Sequence, residues 1–196
     1  MKYVSIDIET TGLDPINHNT LSIAAIIEDT NNKMSFDEIP KLHLAILHDN
    51  IQGSLVALNM NKGLIETIMN YQQTNTPEER KAIELQSGMQ FLDIENVALT
   101  FSAFLKANGL SQWITPAGKN FGTFDKLFLE QLPDWKKLIR TRNRIIDPAI
   151  LFVDWRDDSS LPSLNDCKKR AGIEGVVSHN ALEDAWDVIQ VLRKHY

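Results

Sequence analysis

Residues 2–14 read KYVSIDIETTGLD, and this stretch decides how the chain begins to fold. Apolar residues at positions 4, 6 and 8 alternate with polar residues at 5, 7 and 9, a period of two that predicts a β-strand with one packed face. Because side chains two residues apart in a strand lie on the same face, Asp7 and Glu9 are expected side by side. Gly12 follows at once and predicts a turn, since glycine adopts backbone conformations that other residues resist.

Two carboxylates held that close repel each other unless a proton or a metal ion lies between them. Oxygen ligands without a nearby cysteine or histidine favour magnesium or manganese over zinc. The alternative is an exposed strand face that merely carries acids, and an isolated D-x-E pattern would favour it. The turn Thr10-Thr11-Gly12 weakens that alternative, because its consecutive backbone amides could face a phosphate or a sugar.

A second segment, GKNFGTFDKLFL at residues 118–129, places an acid after a strand. Residues 113–117 read as a short strand, and Phe124, Leu127 and Phe128 recur at helical spacing. Asp125 therefore falls near the start of a helix, close to the carboxyl ends of the strands, where α/β sheets often bind ligands. The alternative is a first-turn acid that only complements the helix dipole.

A third segment, SHNALEDAWD at residues 178–187, opens the last helix. Asn180 followed by Glu183 has the form of an N-cap with its capping partner, so the helix is expected to start at Ala181. His179 then lies in the preceding loop and Asp184 in the first turns, an arrangement that lets both side chains reach one site. Taken alone, a histidine before a helix is more often a surface residue than a base, and this segment by itself gives His179 no special status.

Together these segments match a family pattern. The chain resembles the DEDDh 3′-5′ exonucleases, which include polymerase proofreading subunits, oligoribonuclease and many small nucleases within the ribonuclease H-like fold. The three motifs are DIETTGLD at residues 7–14, NFGTFDKLFL at 120–129 and HNALEDA at 179–185. The tyrosine branch of that group would need a tyrosine four residues before Asp184, where this chain has Asn180. The resemblance extends from residue 2 to about residue 191.

The resemblance implies an α/β fold of the ribonuclease H-like type, with a mixed central sheet of three antiparallel strands and then parallel strands, flanked by helices. It implies a two-metal mechanism with Mg²⁺ or Mn²⁺ that releases nucleoside 5′-monophosphates from the 3′ end of a nucleic acid. Asp7 would bridge the ions, Glu9 and Asp184 would hold the ion on the nucleophile side, and Asp125 would act on the other largely through water. His179 would take a proton from the attacking water. The implied substrate contacts are Thr10, Thr11, Gly12, Leu13, Asn120 and Phe124, with Leu13 or Phe124 against a base or, alternatively, in the core.

Two features depart from the family pattern. The second motif often carries a His-Asn pair two residues before Phe-Asp, whereas here Lys119-Asn120 is followed by three residues before Phe124-Asp125. The different spacing weakens the case for a substrate contact from Asn120 but does not affect the role expected of Asp125. The usual short His-Gly-Ile stretch is replaced by ALNMNKGLI at residues 57–65, so a different substrate preference is expected.

Composition sets further expectations. The 196 residues, 43% of them hydrophobic, suffice for a single exonuclease domain at 1–196, with a helical insertion expected at about 53–91. One cysteine, Cys167, fits a reducing compartment, and no apolar run reaches membrane-spanning length, so a cytoplasmic protein without a membrane partner is expected.

The net charge of −6 is unusual for a protein that grips long nucleic acid, which favours a short or single-stranded substrate. Lysines and arginines nevertheless cluster in two runs, one at residues 136–144 and one at 168–170. Each run is explained either by a solvated helix face or by phosphate binding.

Local signals place the other elements. Strands are expected at residues 21–28, 42–47 and 144–146, and helices at 60–71, from Pro77, and at about 95–107. Thr76, Pro77 and Glu79 supply the cap, the first-turn proline and the capping box of the second of these helices.

The sequence leaves two other functions open. One is a nucleic-acid-binding or polymerase-binding module that keeps the fold without cleaving, and the other is a phosphodiesterase for small nucleotides. All five expected catalytic positions are filled, which argues against the first. The sequence does not rank DNA against RNA, and it leaves self-association and a polymerase partner undecided.

Overall fold

In a computed structural model that describes residues 1–196, a five-stranded sheet forms the centre of the fold. Its strands are β1 (Lys2–Thr10), β2 (Thr20–Asp29), β3 (Lys41–Leu47), β4 (Gln90–Asp93) and, after the short strand β5 (Trp113–Ile114), β6 (Pro116–Ala117). They lie in the order β4-β3-β2-β1-β6. The first three strands pair antiparallel, whereas β4 is parallel to β3 and β6 is parallel to β1. The predicted mixed sheet of the ribonuclease H-like fold is confirmed.

Nine α-helices surround the sheet: α1 (Leu55–Met60), α2 (Lys62–Gln73), α3 (Pro77–Ser87), α4 (Ile94–Ala107), α5 (Asp125–Leu129), α6 (Trp135–Leu138), α7 (Ala149–Phe152), α8 (Leu164–Arg170) and α9 (Ala181–Leu192). None of them is both long and apolar enough to cross a membrane. The hydroxyl of Thr76 accepts a hydrogen bond from the N–H of Glu79, and Pro77 opens α3, as its sequence predicts. Asn180 caps α9, which begins at the predicted Ala181.

The alternation along β1 sends its side chains to two different layers. Val4, Ile6 and Ile8 pack with α4, α5 and α6 in the largest apolar cluster. The opposite face, which carries Tyr3, lies under α9, and the Ser5 hydroxyl donates to the carbonyl of Ala185 at 2.7 Å. Asp7 and Glu9 share the parity of Tyr3, so they lie on the face that α9 covers.

The predicted strand at residues 113–117 is wrong in detail, because the chain changes sheets at Thr115. Trp113–Ile114 pairs with a further strand, β7 (Arg140–Thr141), whereas Pro116–Ala117 pairs with β1. Pro116 has no N–H to donate, which keeps the segment from continuing as one regular strand.

The predicted strand at 144–146 is also wrong. Its only ladder contact is a bridge from Ile146 to Ala117, because β6 offers just two residues for pairing. The strand in this part of the chain lies earlier, at β7, and belongs to the small two-stranded sheet.

The region at 53–91 is helical over most of its length, but its end belongs to the sheet. Helices α1, α2 and α3 lie between β3 and β4, and β4 already begins at Gln90. The helix expected at 60–71 is α2, and the unpredicted helix α1 precedes it, with Asn61 at the junction as the C-cap of α1 and the N-cap residue of α2. The apolar spacing alone did not predict this break or the short strand β4.

Candidate active site

Three carboxylates meet where β1 ends beneath the start of α9. One oxygen from each of Asp7, Glu9 and Asp184 lies within 4.8 Å of the others. Strand alternation places Asp7 and Glu9 together, and the first turn of α9 brings in Asp184. Two small buried residues of α9, Ala181 and Ala185, let the helix approach the sheet closely. The structure thus brings together three of the four acids that the sequence predicts for a metal site.

Asp125, the fourth predicted acid, is buried beside this group and only 3% exposed. It is the first residue of α5, whose Phe128 and Leu129 pack in the core below β1. The negative charge of Asp125 acts on Asp7. A first-turn acid that only complemented the helix dipole would lie in solvent, so burial beside three other acids argues against that alternative.

The four carboxylates have raised pKa values, because each loses solvent and faces like charges. Burial raises the pKa of Asp7 well above its ordinary value, and the charges of the other three acids add to the effect. Burial and the charge of Asp184 raise the pKa of Glu9 to about 7, against a hydrogen bond from Asn61 that lowers it. Burial also raises the pKa of Asp125 to about 7 and that of Asp184 to about 6.

No salt bridge compensates this cluster. None of the eight salt bridges of the chain includes any of the four acids. Buried like charges without a cation are strongly unfavourable, and oxygen donors without sulfur suit hard divalent ions such as Mg²⁺ or Mn²⁺. The donor set therefore fits a divalent metal centre, and the three acids that the structure groups together, Asp7, Glu9 and Asp184, could hold such an ion directly.

His179 lies in the loop before α9, as predicted, and is exposed. It lines a cavity of about 310 Å³ together with Glu9 and the N-cap residue Asn180. Its backbone is left-handed, with a φ of 55°, a conformation that few residues other than glycine adopt. The N–H of the preceding Ser178 donates to a carboxylate oxygen of Asp184 at 3.3 Å, which ties the loop to the acidic cluster.

The turn after β1 differs from the prediction in two respects. Gly12 does not have the positive φ that would require glycine. Glycine is needed there because an added Cβ would lie 2.1 Å from the ring of His18. Thr11 is buried, its N–H donates to the carbonyl of Asn19 at 2.9 Å, and its hydroxyl donates to the carbonyl of Gln52. The Thr11 N–H and hydroxyl therefore form hydrogen bonds within the loop instead of facing open space, and a substrate contact from Thr11 stays a prediction.

Four other residues that are predicted to contact the substrate differ in burial and hydrogen bonding. The Thr10 hydroxyl donates to the carbonyl of Gly12 at 2.8 Å, whereas Leu13 is 83% exposed, which excludes the alternative that it is a core residue. Phe124 is half-buried, with its ring 5.1 Å from that of Phe128. Asn120 is exposed, and its side-chain oxygen accepts a hydrogen bond from Lys119 at 2.6 Å.

Asn61 is a site residue that the sequence reasoning missed. It is buried, its amide donates to the carbonyl of Thr10 at 3.0 Å, and it also hydrogen-bonds the Glu9 side chain. It lies within residues 57–65, the stretch that replaces the family's usual motif. An asparagine at the junction of two helices carries no pattern of its own, so only its position in that stretch could have drawn attention to it.

Comparison with known families decides the broader assignment. A family profile described as exonuclease, RNase T, matches residues 4–192. The chain belongs to this exonuclease family. This confirms the assignment to the DEDD exonucleases that the three motifs indicate, and with the acidic cluster it identifies the protein as a nuclease of the hydrolase class.

Solved structures support the fold of this exonuclease chain. Exonuclease I of E. coli in complex with a dT13 oligonucleotide aligns with 98% of the chain at 17% identity and a TM-score of 0.58. A moderately thermophilic exonuclease I from Methylocaldum szegediense aligns with 98% of the chain at 18% identity and a TM-score of 0.60. The chain spans 40% of the length of each of these structures. A comparison with curated protein sequences gives no match.

Proposed function

We propose that this protein is a metal-dependent 3′-5′ exonuclease of the histidine-containing type. It would release nucleoside 5′-monophosphates from single-stranded DNA or RNA. Residues 1–196 would form one exonuclease domain, with α1, α2 and α3 as its helical insertion. Membership of the exonuclease family supports the chemistry, and the match between the three motifs and the clustered side chains supports the direction.

The acidic cluster is the observation that carries this proposal. If their role were only structural, four carboxylates with raised pKa values and no compensating salt bridge would destabilise the folded state. Asp7, Glu9 and Asp184 would hold the ions directly, and Asp125 would complete the site from α5. Two bound Mg²⁺ or Mn²⁺ ions would stabilise the attacking and leaving oxygens during displacement at phosphorus.

His179 would act as the general base at the open side of the cluster. Its imidazole would accept a proton from the attacking water while the bond between phosphorus and the 3′ oxygen of the penultimate nucleotide breaks. The 5′-phosphate would leave with the terminal nucleotide. His179 is exposed and shares its cavity with Glu9, so solvent can remove the proton afterwards.

The substrate would lie at the turn after β1. Leu13 would contact a base, which its exposure allows, and Asn61 would keep Glu9 oriented toward the ions. The single-stranded oligonucleotide in the E. coli exonuclease I complex supports a single-stranded substrate.

Cleavage of end-labelled oligonucleotides tests the proposal. DNA and RNA 20-mers carrying a 5′ label are incubated with Mg²⁺ or Mn²⁺, and products are separated by length. We expect a ladder that shortens from the 3′ end and the release of nucleoside 5′-monophosphates. Failure to cut either polymer, with metal binding intact in calorimetry, would overturn the proposal. Cleavage of dinucleotides alone would instead identify a small-nucleotide phosphodiesterase.

The role of His179 has its own test. His179→Ala should lower kcat by about 10²- to 10⁴-fold, the usual contribution of a general base, and leave oligonucleotide affinity in Ca²⁺ nearly unchanged. His195→Ala is the matched control, because His195 is also exposed and lies in a short 3₁₀ segment at residues 193–195, outside the acidic cluster. Equal kcat values for His179→Ala and the parent would remove His179 from the mechanism.

A further inference from the structure

A basic groove lies at the β6 edge of the sheet, away from the acidic cluster. It encloses a cavity of about 800 Å³ between α5, α6 and the segment at residues 139–146. Five cationic side chains line it: Lys126, Lys136, Arg140, Arg142 and Arg144. The lining includes one carboxylate, Glu130, whose oxygen lies 3.7 Å from the Lys126 ammonium. We call this feature the edge groove.

The other four cations of the edge groove have no acidic partner. Lys136 and the three arginines take part in none of the salt bridges of the chain, and all four are exposed. The second basic run differs, because Lys168 pairs with Asp187 and Arg170 pairs with Asp158. Four cations without an acidic partner thus line one groove of a chain whose net charge is −6. A solvated helix face does not explain it, since the arginines lie on β7 and in the loop that follows.

An exposed indole accompanies these cations. Trp113 is 51% exposed, lines the edge groove and is the strand partner of Arg140 in the small sheet. The floor of the groove is apolar, with Phe121 and Ile139 buried in it. Cations that follow a groove, together with an aromatic ring open to stacking, characterise sites for single-stranded nucleic acid.

The edge groove and the acidic cluster share a helix. Asp125 and Lys126 are consecutive in α5, the first beside the acids and the second in the groove. Along β1, the N–H of Val4 donates to the carbonyl of Thr115, a groove residue, at 2.9 Å. Three residues of strand separate Val4 from Asp7, which is about 10 Å at 3.3 Å per residue. The groove and the cluster are thus joined through α5 and β1, and a nucleic-acid strand would need several nucleotides to reach from one to the other.

We propose that the edge groove binds the phosphate backbone of single-stranded nucleic acid on the 5′ side of the scissile bond, with Trp113 stacked on a base. The position relative to the scissile bond rests on the proposed exonuclease function. Binding in the groove does not, because it needs no cleavage. Oligonucleotides too short to reach from the acidic cluster to the edge groove should therefore bind no more tightly because of the groove residues.

Salt-dependent binding tests the edge groove directly. Anisotropy of fluorescein-labelled dT20 is measured from 50 to 200 mM KCl in Ca²⁺, for the parent and for Arg140→Gln/Arg142→Gln/Arg144→Gln. Each lost phosphate contact lowers the salt slope by about 0.7 for a single strand, so the triple variant should be less steep by about 2. The matched control is Lys81→Gln/Arg156→Gln/Lys194→Gln, three exposed cations outside the groove and without salt bridges, which should keep the parent slope.

Two further measurements separate nucleic acid from other anions. Trp113→Leu should weaken dT20 binding by about fivefold to a hundredfold, the usual loss when one stacked base is released. Poly-glutamate of equal charge should compete poorly, because it has no bases to stack. Equal competition by poly-glutamate would mean a general polyanion or protein surface and would overturn the proposal.

The outcomes distinguish this inference from the proposed function. If the parent degrades dT20 but the triple arginine variant keeps the parent slope and affinity, the edge groove is not a nucleic-acid site and the exonuclease proposal stands. If nothing is cleaved but the variant loses dT20 binding, the groove stands and the exonuclease proposal fails. Should the triple variant unfold, Arg142→Gln/Arg144→Gln, confined to the loop, gives the same test with an expected slope change of about 1.4.

Discussion

Asp7→Asn should stabilise the metal-free protein while abolishing nuclease activity. Asp7 has two carboxylate neighbours within 4.8 Å. At that distance two unit charges repel by about 0.9 kcal/mol in water and by about 3.5 kcal/mol at an effective dielectric constant of 20. Removing the charge of Asp7 relieves two such pairs, roughly 2 to 7 kcal/mol, against about 1 kcal/mol for altered hydrogen bonding. We expect a net gain of at least about 1 kcal/mol, since the site is partly hydrated.

Thermal unfolding at pH 8 measures this gain. In EDTA, the melting temperature of Asp7→Asn should exceed that of the parent by at least about 2 to 4 °C for a chain of this size. Mg²⁺ should raise the melting temperature of the parent more than that of the variant, because the variant has lost one ligand charge. Asp37→Asn, at an exposed position outside the cluster, is the control and should change neither value.

A lower melting temperature for Asp7→Asn in EDTA would refute this reasoning. It would mean that the Asp7 carboxylate makes structural contacts worth more than the repulsion it suffers. An equal response of parent and variant to Mg²⁺ would likewise remove Asp7 from the metal site.

Three further changes probe the surroundings of the site. Gly12→Ala should cost about 1 to 3 kcal/mol in urea unfolding because its Cβ meets the ring of His18, and adding His18→Ala should recover much of the loss. Lys168→Met should lower the free energy of unfolding by about 3 to 5 kcal/mol because it leaves the buried Asp187 unpaired, whereas Lys168→Met/Asp187→Leu should lower it far less. Equal losses in the two variants would show that the ion pair does not stabilise the fold. Burial lowers the pKa of His43 to about 4, so the folded protein keeps this histidine neutral at a pH where the unfolded chain protonates it. The free energy of unfolding should therefore fall by up to about 3 kcal/mol as the pH decreases from 6.5 to 4. Urea unfolding across that range should show a shallower loss in His43→Gln than in the parent, and parallel curves would contradict the assignment.

Much of the fold was predictable because local patterns agree with the tertiary structure. The alternation in β1 is clear since one face packs on α4 and the other lies under α9. The N-cap side chains of α3 and α9 bond backbone N–H groups only two or three residues further along the chain, so the local sequence predicts where both helices start. The same alternation places Asp7 and Glu9 together without any knowledge of distant contacts.

Where the predictions failed, long-range pairing decides the structure. Residues 113–117 look like one strand, and only their different partners, β7 and β1, divide them. Gly12 looks like a residue chosen for its backbone freedom, yet the ring of His18 is what excludes a Cβ. Asn61 acquires its role from Thr10 and Glu9, which are 50 or more positions away, and no local pattern contains that information.

The edge groove illustrates the same limit. The basic run at residues 136–144 is visible in the sequence, but it does not show that Trp113 and Lys126 join it or that acids are nearly absent there. The second run, at 168–170, looks equivalent and is largely neutralised by Asp187 and Asp158. Charge in the sequence becomes an argument about binding only when the partners of each cation are known.

The proposed metal-dependent 3′-5′ exonuclease activity is tested most directly by the product ladder of a 5′-labelled single-stranded 20-mer, with the parent and Asp7→Asn compared in Mg²⁺. We expect stepwise shortening from the 3′ end by the parent, release of nucleoside 5′-monophosphates and no cleavage by the variant. An intact oligomer with the metal-loaded parent, or equal cleavage by Asp7→Asn, would contradict it.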